Sequence, residues 1–366
     1  MKRSKAIAIV LAISLLSAFS GYAGSMLANQ VLINNTISIF EDSHTPNSQL
    51  EFAYLDFNLS ERTALSIPEI AQLNKDSVVE ISTEIVQWGS IVGQYISKGA
   101  GSGVILTADG YIVTNAHVID NAHRITVRLD NGLEHEATLL GSDMLSDIAV
   151  LKIDAENLSP VNIGNSANLT VGDLAVVIGS PLGRLGGTVT EGIISALDRQ
   201  IEVEGQEMTL LQTSAAINPG NSGGGIFNKH GELVGIVNAK TSGSGIEGLG
   251  FAIPINSVIS IIDDLIEFGY VIGRVDLGFT MIDVLDRRLA WLYNLNSTGV
   301  YVLQVHADVD LLPGDRIITF NGTQVFTSEN INKLVEELEV GDIVIFEVKR
   351  GDKRVKVEIQ VSQKVS

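Results

Sequence analysis

From residue 77 to residue 237 the chain alternates short apolar runs with polar punctuation. Examples are Ser77-Val78-Val79-Glu80-Ile81, Gly103-Val104-Ile105-Leu106, Tyr111-Ile112-Val113 and Ile125-Thr126-Val127-Arg128-Leu129. Ile148-Ala149-Val150-Leu151-Lys152-Ile153, Leu174-Ala175-Val176-Val177-Ile178, Gly192-Ile193-Ile194-Ser195 and Leu233-Val234-Gly235-Ile236-Val237 follow. Runs of this kind, rich in β-branched residues, predict strands. Ala108-Asp109-Gly110 and Asp130-Asn131-Gly132 supply turn chemistry between them. Many short strands with regular turns predict closed antiparallel barrels.

Elsewhere the period is helical. Ser66-Ile67-Pro68-Glu69 has the form of a helix start: a serine cap, Pro in the first turn and Glu three residues on. Within 254–268, Val258, Ile261, Ile262, Leu265 and Ile266 recur at helical spacing, and Gly269 follows as a stop. Residues 270–366 return to strands, with one helix predicted over 328–338. At the other end, Met1-Lys2-Arg3-Ser4-Lys5 is basic and residues 6–28 carry no charge. That stretch is long enough to cross a bilayer, which takes ~20 apolar residues. The expected layout is a stub and transmembrane anchor over 1–30, a linker over 31–65, a catalytic domain over 66–269 and a second domain over 270–366. The basic stub stays cytoplasmic, so the remainder lies outside. Ala18, Gly21, Ala23, Gly24 and Ala28 keep open a cleaved signal and a secreted product.

Composition narrows the chemistry. A net charge of −19 disfavours nucleic acid as a partner. With no cysteine there is no disulfide, no thiol nucleophile and no thiolate metal site. Gly99-Ala100-Gly101-Ser102-Gly103 lacks the Lys-Ser/Thr of a phosphate loop and reads as a turn between strands. No metal-ligand spacing occurs, and no cofactor is expected.

Three segments carry groups able to form a nucleophile, a base and an orienting acid. His117 follows the strand at Tyr111. Asp147 opens the strand at Ile148. Ser222 lies in Pro219-Gly220-Asn221-Ser222-Gly223-Gly224-Gly225. A serine hydroxyl needs an imidazole to take its proton and a carboxylate to orient that imidazole. The glycines permit a tight turn that aims the N–H groups of Gly220 and Ser222 at one point, as an oxyanion requires. Gly220-Asn221-Ser222-Gly223-Gly224 also fits the G-x-S-x-G elbow of α/β-hydrolases. That fold places its acid and histidine after the serine, where only His230 and His306 remain, and needs alternating helices that this pattern lacks.

Thr114-Asn115-Ala116-His117-Val118, Ser146-Asp147-Ile148-Ala149-Val150-Leu151 and Ala215-Ala216-Ile217-Asn218-Pro219-Gly220-Asn221-Ser222-Gly223-Gly224 resemble the three signature blocks of the HtrA/Deg serine proteases. Gly248-Leu249-Gly250-Phe251-Ala252-Ile253-Pro254 resembles their strand-to-helix exit, and the resemblance runs over about residues 66 to 364. It implies a mostly β chain: a chymotrypsin-like double β-barrel, then a smaller α+β PDZ domain, behind an N-terminal transmembrane helix. With the anchor, the layout is similar to the membrane-tethered, single-PDZ, DegS-like members. By this resemblance His117 is the general base, Asp147 its orienter and Ser222 the nucleophile. Gly220, Asn221 and Ser222 would form the oxyanion hole. Ala216, Ile217 and Ala239 would line a small apolar primary pocket, favouring cleavage after Val, Ala or Leu. Arg184, in a glycine-rich loop, and Arg199 would relay activation. Leu277, Gly278 and Phe279 resemble the PDZ loop that grips a C-terminal carboxylate. An extended peptide would add as a strand beside it.

The implied activity is ATP-independent endoproteolysis in extracytoplasmic quality control or stress signalling. Its substrates would be unfolded or membrane-associated proteins, and its regulators C-terminal peptides at the PDZ domain. Family members are usually trimers, for which Phe52, Tyr54 and Phe57 are candidate contacts. The alternatives are a peptide sensor or chaperone in which binding dominates, and a narrow regulatory protease. Three departures from the family pattern stand out. Ser214 replaces the usual Asp, Gly225-Ile226 replaces a bulkier pair, and Asp276 places a carboxylate where it would repel a peptide terminus.

Overall fold

The structure, a computed structural model, describes residues 63–89, 93–180, 187–203, 206–239 and 249–365. The expected anchor over 6–28, the aromatic residues Phe52, Tyr54 and Phe57, and Arg184 lie outside those residues. Among the described residues no helix is long and apolar enough to cross a membrane.

Helix α1 (Ile67–Asn74) begins where the sequence predicts. The Glu69 carboxylate accepts from the backbone N–H of Ser66 at 2.8 Å and from its hydroxyl at 2.7 Å. These bonds hold the Glu69 carboxyl below the usual carboxylate range, the hydroxyl contributing most.

Six strands then close a barrel: β1 (Val78–Gly89), β2 (Gly93–Ile105), β3 (Tyr111–Thr114), β4 (Arg124–Arg128), β5 (Glu134–Asp143) and β6 (Ile148–Ile153), with the short helix α2 (Ala116–Ile119) after β3. Their order around the barrel is β1-β2-β3-β6-β5-β4. A second closed barrel comprises β7 (Leu174–Gly179), β8 (Thr188–Val203), β9 (Gln206–Thr213), β10 (Gly225–Phe227), β11 (Leu233–Val237) and β12 (Gly250–Pro254). Its order, β7-β8-β9-β12-β11-β10, repeats that of the first. The sequence shows no such repeat.

Successive side chains on a strand point to opposite faces, and here both faces are apolar. In β6, Ala149, Leu151 and Ile153 fill the first barrel, while Ile148 and Val150 join a second cluster. In β7, Ala175 and Val177 fill the second barrel, while Val176 and Ile178 join that same second cluster. The shared core also takes Val104, Val113, Phe227, Leu233, Ile236 and Ile253. Helix α3 (Ile259–Glu267) closes over it through Ile262 and Leu265. The predicted helix over 254–268 is thus shorter, because Pro254 ends β12 and a 3-10 turn (Ile255–Ser257) intervenes.

Asp263 on α3 is partly buried. Burial foremost, then the like charges of Asp264 and Glu267, push its carboxyl above the usual carboxylate range. A carboxyl raised on folding destabilises the fold while ionised. That cost is present above the folded-state pKa and vanishes below the unfolded one. Asp263→Asn is therefore expected to raise Tm at neutral pH by roughly 2 °C. The gain should shrink to nothing toward about pH 4. Melting curves across that range check it.

The third unit holds β13 (Val275–Asp276), β14 (Phe279–Val284), α4 (Arg287–Leu292), β15 (Gly299–Val305), β16 (Arg316–Phe320), β17 (Thr323–Gln324), α5 (Ser328–Val335), β18 (Ile343–Arg350), β19 (Lys353–Gln360) and β20 (Ser362–Gln363). Its main sheet runs β14-β15-β16-β18-β19, with β14 at one edge. Phe346 anchors its core, edge-on to Phe279 at 5.4 Å and to Phe320 at 4.9 Å. Helix α4 is a second helix where the sequence predicts only one. It is too short for a readable period and is started locally by the Asp286 carboxylate, which accepts from Leu289 N–H at 2.8 Å.

Candidate active site

The two barrels contribute opposite halves of one constellation. His117 sits on α2 after β3, and Asp147 lies between β5 and β6, both in the first barrel. Ser222 precedes β10 in the second. Asp147 has a left-handed backbone, φ 54°, which Asp tolerates better than most residues. Its peptide carbonyl accepts from Asn115 Nδ2 at 3.1 Å and Ala116 N–H at 3.2 Å. The carboxylate oxygens lie 3.0 and 2.8 Å from His117 Nδ1, and Oδ1 also accepts from the His117 backbone N–H at 2.9 Å. Oδ2 accepts from Asn238 Nδ2 at 3.0 Å. With Nδ1 donating to the carboxylate, Nε2 is the acceptor. It faces Ser222 Oγ at 3.1 Å. The structure brings the three predicted residues together.

Ser222 is buried, and its Oγ also accepts from the backbone N–H of Ala239 at 3.1 Å. The preceding turn is closed by Asn221 N–H donating to Asn218 carbonyl at 3.0 Å, with Gly220 at φ 99°. A positive φ at that position is the requirement of a type II turn, and glycine meets it without strain. Asn221 N–H is therefore spent on the turn. Among the described residues no acceptor engages the N–H of Gly220 or of Ser222.

Ser102 on β2 clamps this turn from the first barrel. Its N–H donates to Ser222 carbonyl and its Oγ to Gly220 carbonyl, each at 2.7 Å, and Oγ accepts from Ser180 N–H at 2.8 Å. Thr114 Oγ1 donates to Ser102 carbonyl at 2.7 Å. The expected turn over Gly99-Ala100-Gly101-Ser102-Gly103 is instead strand. Its glycines mark where other groups crowd the strand: a Cβ on Gly101 would meet Val118 and the Ser222 carbonyl. Ser102, Asn115 and Asn238 are the site residues that the sequence reading missed. The signals for two of them were glycines flanking a serine inside a strand pattern, and an asparagine following an all-apolar strand.

The other candidates take the following places. Ala216 is exposed, and its carbonyl accepts from Thr190 Oγ1 at 2.8 Å. Ile217 lies on Gly250, where a Cβ would stand 2.6 Å from Ile217 Cδ1. Arg199 donates through Nε to Gln212 Oε1 at 3.0 Å on the exposed surface of the β8–β9 pair. Leu277 and Phe279 are buried in the third unit, and Gly278 between them has φ 82°. Among the described residues no group of three or more His, Asp or Glu side chains converges as metal ligands would.

A trypsin-like peptidase domain model matches residues 101–236, and a PDZ domain model matches residues 275–361. The serine protease Do-like HtrB of Bacillus subtilis (strain 168) is 42% identical over 274 residues, which cover 69% of this chain and 60% of that protein. The probable periplasmic serine endoprotease DegP-like of Buchnera aphidicola subsp. Baizongia pistaciae is 35% identical over 371 residues, covering 91% of this chain and 79% of its own length. Among solved structures, the HtrA-type protease AlgW with decapeptide aligns with a TM-score of 0.54 at 33% identity, over 82% of this chain and 99% of that one. The chain spans 60%, 64% and 58% of the length of three similar curated relatives.

Proposed function

Because this chain belongs to the HtrA/Deg family of serine proteases, we propose that it is an ATP-independent serine endopeptidase that cuts unfolded polypeptide. The observation that carries this reading is the continuous path from Asp147 through the His117 ring to Ser222 Oγ, at 2.8 and 3.1 Å. In the proposed cycle Ser222 Oγ attacks the scissile carbonyl while His117 Nε2 takes its proton. The carbonyl oxygen gains charge opposite the N–H groups of Gly220 and Ser222. His117 then returns the proton to the leaving amine, and water releases the acyl group by the same steps. Asp147 keeps Nδ1 protonated throughout. Asn238 is a positioning residue acting through that carboxylate. Asn238→Ala is expected to lower kcat roughly tenfold with KM little changed, since the misplacement affects chemistry more than binding.

Ile217 over Gly250, with no carboxylate among residues 214–217, supports a small apolar primary pocket. Mapping the cut sites in casein by mass spectrometry tests the activity and the pocket together. Cleavage after Val, Ala or Leu is expected, and cuts after Lys or Arg should be rare. A majority of basic cut sites, or undiminished cutting with Ser222→Ala, would reject the assignment.

The PDZ unit is read as a docking site for extended peptides beside β14, and the catalytic and PDZ units as extracytoplasmic. The uncharged stretch 6–28 behind a basic stub supports a membrane tether, and the name of the Buchnera relative supports the compartment. Trimer assembly through Phe52, Tyr54 and Phe57 belongs to the same reading.

A further inference from the structure

The edge strand of the PDZ unit starts at a loop whose binding group is already engaged. Gly278 N–H donates to Asp276 Oδ1 at 2.8 Å. His306 Nε2 lies 3.1 and 3.0 Å from the two oxygens of that carboxylate. The backbone beneath is fixed from two sides. Gly278 carbonyl accepts from His306 N–H at 3.0 Å and Ala307 N–H at 3.1 Å. Asp276 pairs with Ser362 across β13 and β20. A Cβ on Gly278 would stand 2.8 Å from Ala307 Cβ, so the loop cannot retreat toward that side. At the far end of β14 a second carboxylate, Asp283, accepts from Ser328 N–H and Oγ at 2.7 Å each.

We propose that Asp276 caps the ligand loop from within, so that this PDZ unit takes apolar extended segments without selecting for a free C-terminal carboxylate. The inference rests on the reading of β14 as a peptide-docking edge. An incoming terminal carboxylate must displace a covalently tethered one from Gly278 N–H, and it approaches a strand flanked by Asp276 and Asp283. An amidated terminus or an internal segment brings no charge of its own for these carboxylates to repel, and among the described residues β14 is an edge strand open to main-chain bonding. His306 is the tether. The cap is solvent-facing, with side-chain exposures of 26% for Asp276 and 41% for His306, so its removal leaves the core untouched.

The test uses the full chain carrying Ser222→Ala, to prevent digestion, and a fluorescein-labelled decapeptide ending in Ala-Val-Leu. The peptide is made both as free acid and as C-terminal amide, and binding is read by anisotropy. With Asp276 present, the two forms should bind within about threefold of each other. Asp276→Ala should tighten the acid by about tenfold or more, the worth of one charge-assisted hydrogen bond, and leave the amide within about threefold. Asp276→Asn keeps a side-chain acceptor for Gly278 and removes the charge. It should tighten the acid by about threefold or more and is the deciding variant if the alanine chain misfolds. A preference for the acid of about tenfold in the Asp276 chain overturns the cap, as does an unchanged ratio in both variants. If neither peptide binds any of the chains, the peptide-docking reading itself fails, and the cap falls with it.

Discussion

Ser222→Ala will reduce peptide-bond hydrolysis by about four to six orders of magnitude while leaving the fold intact. The first half follows from the loss of the oxygen that His117 Nε2 faces at 3.1 Å. Without it no acyl intermediate forms, and what remains is the pull of Gly220 and Ser222 N–H on the substrate carbonyl. The second half follows from how little else the hydroxyl holds. Its bonds are to His117 and to Ala239 N–H, so stability should change by no more than about 1 kcal/mol. Because the three side chains act as a unit, adding His117→Ala to Ser222→Ala should cost little further rate. Single-turnover kinetics on a fluorogenic peptide, with a Tm for each variant, check both halves. A double variant slower than the single one by the full effect of His117→Ala would show that the residues act separately.

Gly223→Ala will fail in two ways at once. Gly223 has φ 83°, which alone costs a non-glycine residue about 1–2 kcal/mol. Its Cβ would also collide with the Ser102 carbonyl and with Thr114 Oγ1, groups already bonded to each other. The turn must then back away from β2, and the Ser102 N–H bond to Ser222 carbonyl goes with it. A displacement of about 1 Å at a reacting atom costs on the order of a hundredfold in rate. The expected outcome is a kcat loss of at least that size, with about 3 kcal/mol of destabilisation from strain and collision combined. Gly273→Ala separates the two causes. Gly273 has the same φ of 83° with no atom within 4 Å of its Cβ, so it should show the strain and keep the activity. Equal rate losses in the two variants would mean that the collision is irrelevant. Denaturant melts and kcat on one peptide substrate provide both readings.

Much of this was legible in the sequence, and the exceptions share a cause. His117, Asp147 and Ser222 each stand beside a strand whose alternation is plain, and their residue types limit the chemistry they can do. The barrels were legible for the same reason, since each strand announces itself through its own period. Ser102 was not. Its partner Gly220 lies 118 residues away, and the flanking glycines that mark a close approach do not say which backbone approaches. Asn238 was hidden likewise, because its carboxylate partner is 91 residues distant. Helix α4 escaped because its six residues are held by a cap rather than by an amphipathic stripe. The carboxylate of Asp276 stands out in the sequence as a departure from the family pattern. Whether it repels a ligand or takes the ligand's place depends on its distance to Gly278 N–H, which the sequence does not encode locally.

The core shared by the two barrels also bears on how this protein is made. During synthesis the first barrel emerges complete while Val104, Val113, Ile148 and Val150 still have no partner wall. Until Val176, Ile178, Phe227, Leu233 and Ile236 follow, a half-finished chain leaves these apolar side chains without their second-barrel partners. Assembly of the site is thereby tied to completion of the second barrel. His117 and Ser222 come from opposite barrels, so neither half of the chain carries the pair alone.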